Sequence, residues 1–157
     1  MTLQERIDIY EKEMETLQFE NFTNIDALEV GKIMVNKIVQ GNLRLAVDIN
    51  IGGQTIFRYA HTNTTITMEN WLRRKMKTVL FAGESSILFG CKLKRDGKEL
   101  KDVVAPNSPE EYVQCGGSFP IIIKNQGIIG TFSSSGLVDT EDHQILVDSI
   151  SEYLNKL

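Results

Sequence analysis

The sequence is poor in the residues that mark specialised classes of protein, holding only 2 Cys, 2 His, 3 Pro and 1 Trp. Cys91 and Cys115 stand far apart, without the close spacing of a zinc ligand set or a redox motif. Both are expected to be free thiols in a reducing compartment. His61 and His143 share no H-x-x-x-H or C-x-x-C pattern, so no built-in metal site is expected. No apolar run approaches the roughly 18 residues that span a bilayer. The start, MTLQERIDIY, is amphipathic rather than basic and then apolar. No membrane association is therefore expected, and a cytoplasmic location is the default. An excess of cations is also missing: Lys and Arg number 17 against 21 Asp and Glu, a net charge of -4. That balance argues against a nucleic-acid binder, which displaces counterions from phosphates with Lys and Arg.

What remains is the composition of one ordinary globular domain, 41% hydrophobic and 24% charged over residues 1–157. A chain of this length buries roughly 70% of its unfolded surface, enough for a core without metals or disulfides.

The pattern along the chain alternates between two periods. Thr2-Leu3-Gln4-Glu5 is a capping box, and Leu3, Ile7, Tyr10, Met14 and Leu17 follow at helical spacing. A second helix is predicted from Asp26, with Val30, Ile33, Met34 and Ile38 inward, Lys32, Asn36 and Lys37 outward, and Gly41 as its left-handed end. From Leu43 the period becomes two: Leu43, Leu45, Val47, Ile49 and Ile51 alternate with Arg44, Ala46, Asp48 and Asn50, which predicts a half-buried strand. Gly52-Gly53 turns it into a second strand, Gln54 to Ala60. Met68, Leu72, Met76 and Val79 predict a helix between Thr67 and Gly83, with a shorter one from Ser86 to about Leu93. The lysine-rich stretch Lys92 to Lys101 reads as a mobile exposed loop. Asn107-Ser108-Pro109-Glu110-Glu111 starts a short helix reaching about Gln114. Phe119 to Lys124 and Ile128 to Ser135 form a second hairpin across Asn125-Gln126-Gly127, and a last helix runs from Asp139.

This order predicts an α+β domain, helices covering an antiparallel sheet. Short hairpins do not give the parallel βαβ order of a dinucleotide fold, and no glycine-rich phosphate fingerprint follows a strand.

Four stretches carry more polar and glycine content than packing needs. His61 ends a strand, where a pH-tuned group or a backbone-bonded histidine would both fit. In Glu69 to Lys75 a helical turn sets Asn70 beside Arg74 and Trp71 beside Arg74 or Lys75, a cationic face next to an aromatic plate that can grip a carboxylate or phosphate. The hydroxyls of Ser85 and Ser86 face a ligand or, more readily, cap a helix. The fourth runs from Gly116-Gly117-Ser118-Phe119 through Ser135-Gly136 to His143. Ser135, Asp142 and His143 nominally supply a hydrolase triad, but adjacent helical residues project about 100° apart and cannot orient one another. No G-x-S-x-G elbow surrounds Ser135. No catalytic constellation is convincing, so an enzyme is the less expected class.

Taken together, Trp71-Leu-Arg-Arg-Lys75, Gly83-Glu-Ser-Ser86, Gly116-Gly-Ser-Phe-Pro120, Gly130, Ser135-Gly136 and Glu141-Asp-His143 resemble the haem-degrading-domain superfamily. That group includes GlcG-like proteins, haem-binding extracellular sensors and the C-terminal domains of PduO-type proteins. The resemblance runs from about residue 5 to the C-terminus and is to the small, stand-alone cytoplasmic branch. It implies a profilin-like α/β/α domain assembled as a homo-oligomer, a dimer or a dimer-based ring. The superfamily's name implies haem, whose iron takes a His, Cys, Met or Tyr ligand in an apolar pocket. His61 and His143 are the imidazoles on offer and neither stands in a ligand motif, so haem binding or degradation is the lesser alternative. The leading expectation is a small anionic ligand held by His61, Arg74, Lys75 and the Gly117-Ser118 turn, in a cavity between the Asn70 to Lys75 helix face and the Gly116 to Pro120 turn. Its competitor is an interaction or scaffold protein with no ligand of its own.

Overall fold

The computed structural model describes all 157 residues. Helix α1 (Leu3–Thr16) begins at the expected capping box, with the Glu5 N–H donating to Thr2 Oγ1 at 3.1 Å. Helix α2 (Asn24–Gly41) starts earlier than expected, because Asp26 is not its first residue but accepts the Thr23 N–H at 2.7 Å from inside the first turn. Its left-handed end is Asn42 (φ 46), not Gly41. Residues 43–45 are then used in leaving the helix, so strand β1 begins at Ala46 rather than Leu43 and runs Ala46–Ile51. Strand β2 (Gln54–Ala60) returns across Gly52 (φ 59) and Gly53 (φ 87). Helix α3 (Ile66–Ala82) and helix α4 (Ser86–Asp96) follow, separated by Gly83 in the left-handed conformation. The lysine-rich stretch is not a mobile loop: α4 continues to Asp96, Leu93 buries its side chain, Gly97 (φ 63) ends the helix, and α5 (Leu100–Val104) forms at once. The short helix predicted to reach Gln114 is a single 3-10 turn, Pro109–Glu111. Strands β3 (Ser118–Ile123) and β4 (Gly127–Ser135) and helix α6 (Asp139–Leu154) complete the chain.

The four strands form one antiparallel sheet in the order β2-β1-β4-β3. Its two faces differ in chemistry, and adjacent cross-strand rows show the difference. Phe57, Ile49, Phe132 and Phe119 stand in register across all four strands. That row belongs to the main apolar core, which α2 and α6 complete with Val30, Met34, Ile38, Leu146 and Ile150. The next row, Arg58, Asp48, Ser133 and Ser118, points the other way. Helix α3 lies over that second face, where Ala46 packs against Met68 and Leu72. Strand β1 is therefore not half-buried: Asp48 and Asn50, in the positions expected to meet water, are covered.

The free edge of β3 is closed by the chain itself. The Phe19 N–H donates to Ile122 O at 2.9 Å and the Lys124 N–H to Phe19 O at 2.8 Å. Strand β2 keeps the open edge. No helix is long and apolar enough to cross a membrane.

Candidate functional site

Helix α3 buries Met68, Leu72, Lys75 and Val79, spaced by four, three and four on one stripe. A lysine in that stripe needs a partner, since an uncompensated buried ammonium is costly. Lys75 Nζ donates to Asp142 Oδ2 at 3.0 Å and to Ser134 O at 2.9 Å. Asp142 in turn accepts the Leu137 N–H on Oδ1 at 3.0 Å. Burial pushes the Asp142 carboxyl above its ordinary pKa, while Lys75 and the backbone donors pull the other way. Gly117 (φ 128) leaves the room this needs, because a Cβ there would lie 2.6 Å from Lys75 Nζ and 2.5 Å from Ser134 O. Lys75 is thus a bolt between α3, β4 and α6, not half of an exposed cationic face.

Above this bolt lies a cleft of about 340 Å³, walled by Met68, Trp71 and Lys75 on one side and by Ser135, Gly136 and Asp142 on the other. The Gly116 to Pro120 turn does not form its second wall; only the preceding Cys115 reaches it. Trp71 and Cys115 also border a second hollow of about 570 Å³, so the two cavities flank one ridge. This second hollow carries an excess of positive charge: Lys101 pairs with Glu99 at 3.2 Å, which leaves Arg74 and Lys98 without an acidic partner in the lining. Arg74 is fixed in place: its guanidinium carbon sits 4.5 Å from the centre of the Trp71 ring, and Nη2 donates to Tyr112 O at 3.0 Å. Lys98 and Lys101 were hidden from sequence reasoning by the reading of their segment as a loop. The Cys115 thiol is raised above its ordinary pKa by burial, which Lys75 opposes, and both cysteines are free.

Of the remaining candidate residues, none borders the ridge. His61 accepts or donates at both ring nitrogens, to Tyr59 Oη at 2.6 Å and Asn42 Oδ1 at 3.1 Å, at the end of β2. Asn70 accepts from Arg73 on another side of α3. Ser85 occupies the cap position of α4 without making the cap bond, and its hydroxyl is buried and unpartnered. Ser86 Oγ accepts the Ser118 N–H at 3.1 Å, and Ser118 Oγ meets Ser133 Oγ at 2.9 Å. Phe119 is in the core. His143 is buried, with Nε2 2.7 Å from Glu13 Oε1 and its ring 5.0 Å from that of Tyr10. The nominal triad does not assemble: Asp142 serves Lys75, and His143 serves Glu13.

A sequence model described as "Haem degrading protein HbpS-like" matches residues 22–151. UPF0303 proteins of Serratia proteamaculans and Rhizobium etli are 32% and 33% identical, over 98% and 99% of this chain and 95% and 94% of theirs. Among solved structures, the Ybr137w protein superposes with a TM-score of 0.85 at 26% identity, covering 96% of this chain and 88% of that one. HbpS gives 0.66 at 15% identity over 87% and 92% of the two chains. A PduOC:haem complex gives 0.65 at 15% over 83% and 92%. These last two share the fold. With most of its length matched and relatives above 30% identity along nearly their whole length, the chain belongs to the HbpS-like haem-degrading protein family.

Proposed function

We propose that the protein is a cytoplasmic, homo-oligomeric binder of a small anionic molecule that lies across the Trp71–Cys115 ridge. The observation that carries this is the state of Arg74. Its guanidinium is stacked on Trp71 and anchored through Nη2 to the Tyr112 carbonyl, while Nε is buried without an acceptor, so the fork is held in place with donor capacity left over. A planar fork held in this way loses little freedom on gripping a carboxylate or phosphate. Lys98 adds charge on the same side, and the neighbouring 340 Å³ cleft takes the rest of the molecule against Met68 and Trp71.

The names of the family and of the PduOC:haem complex raise haem as the ligand. The residues here do not fit a histidine-ligated haem. Neither cavity is lined by an imidazole, His143 is engaged with Glu13 and sealed in the interior, and His61 has both nitrogens occupied. Cys115 borders both cavities, and its burial raises the thiol above its ordinary pKa, which disfavours the thiolate.

The test is thermal unfolding with inorganic phosphate and small dicarboxylates, beside native mass spectrometry of the purified protein. Saturable stabilisation is expected, and Arg74→Met abolishes it with the fold retained. If no anion stabilises the wild type and the chain is bare, the scaffold reading replaces this one.

A further inference from the structure

A third hollow, of about 410 Å³, opens on the polar face of the sheet, away from the Trp71–Cys115 ridge. Asp48, Asn50 and Thr55 from the first hairpin line it on one side, and Glu69, Asn70 and Arg73 from α3 on the other. Arg58 spans its base, with Nη2 3.2 Å from Asp48 Oδ2 and Nη1 on Glu69. Arg73 donates to Asn70 Oδ1 at 2.7 Å.

One side chain of this lining is under-partnered. The Asp48 side chain is only 10% exposed, Arg58 is its one partner, and its Oδ1 is buried without any. Buried polar groups are nearly always paired, so a carboxylate that borders a cavity with Arg58 as its one partner points to a donor from outside the chain. The charges narrow its identity. Asp48 and Glu69 balance Arg58 and Arg73, which favours a guest with no net charge. A divalent cation would have to take both carboxylates from Arg58, and a simple anion would meet the unpaired Asp48 oxygen. Met76 is the single apolar side chain in the wall, too little for an apolar guest.

We infer that this hollow binds a small zwitterion of the free α-amino acid class. Its ammonium lies against the Asp48 carboxylate and the Asn50 amide oxygen, and its carboxylate is received by the donors of Arg73 not used on Asn70.

Isothermal titration of the full chain with glycine and with L-serine tests this, with acetate and ethylammonium as single-charge controls. Saturable binding of a zwitterion, stronger than either control, is the expected result. Asp48→Asn and Arg73→Met should each weaken it by roughly tenfold or more, the loss of one charged hydrogen bond. Arg73 is exposed, so its variant keeps the test valid should Asp48→Asn fail to fold. Arg74→Met, which removes the phosphate response at the ridge, should leave amino-acid binding intact, so the two sites fail separately. Absence of saturable binding by either zwitterion, or binding that survives Arg73→Met in a folded variant, overturns the assignment.

Discussion

Lys75 and Asp142 form an ion pair shut inside the protein, 3.0 Å apart with side chains only 4% and 3% exposed. The pair joins α3 to the start of α6 and forms part of the cleft floor, so charge that looked available for a ligand is spent on architecture.

Breaking this pair from one side should be severe. Lys75→Met leaves the Asp142 carboxylate buried without its cation, and a loss of about 3–5 kcal/mol is expected in urea unfolding. Lys75→Met combined with Asp142→Leu removes both charges and should recover much of that loss. Equal instability of the single and double variants would show that the pair contributes by shape alone.

Gly117→Ala tests the same bolt from below. The added methyl would sit 2.6 Å from Lys75 Nζ and 2.5 Å from Ser134 O, at a φ of 128 that side chains rarely adopt. Overpacking of this kind costs about 1–3 kcal/mol, with backbone strain in addition. An unfolding midpoint equal to the wild type would remove the argument that glycine is required there.

Haem titration should give no sharp one-to-one change in the Soret band, because no imidazole lines either cavity beside Trp71. His61→Ala and His143→Ala should leave the spectrum of haem-treated protein unchanged. Tight stoichiometric binding lost in either variant would reverse the ligand preference.

The fold class was legible because both periods are clean: helical spacing in α1, α2 and α3, and alternation in β1 and β2. The α/β/α covering of the sheet came with the family resemblance. Burial of Asp48 and Asn50 was not legible, since alternation reports two faces but not that α3 covers the second. Lys75 could have been found. It falls at the helical spacing of Met68, Leu72 and Val79, and its charge diverted the reading to the surface. Arg74 and Trp71 were identified as neighbours, whereas Lys98 and Lys101 reach the same hollow only because α4 and α5 turn at Gly97. That approach is tertiary, and no local pattern encodes it.

The assembled state is the next expected outcome. Ile66, Ile25 and Val138 are 84%, 73% and 61% exposed, and the β2 edge is unpaired in a single chain. Both are features that a second copy covers. Sedimentation at micromolar concentration should show at least a dimer; a monomer there counts against it.

The last prediction concerns pH. Burial raises the Asp48 carboxyl above its ordinary pKa, against the opposing pull of Arg58. The native state therefore holds this proton to a higher pH than the unfolded chain, whose Asp titrates at about 3.9. Asp48 then contributes stability that is fully present below the unfolded value and is lost as pH rises through the raised one. An amide at this position has no proton to lose. Relative to the wild type, Asp48→Asn should gain stability steadily from about pH 4 upward, by about 1.4 kcal/mol for each unit by which the native pKa is raised, and level off beyond it. Urea unfolding of both proteins across that range isolates Asp48, because every other carboxylate is common to the pair. A difference that stays flat with pH, or falls as pH rises, would mean that Arg58 outweighs burial and that Asp48 stays ionised at little cost.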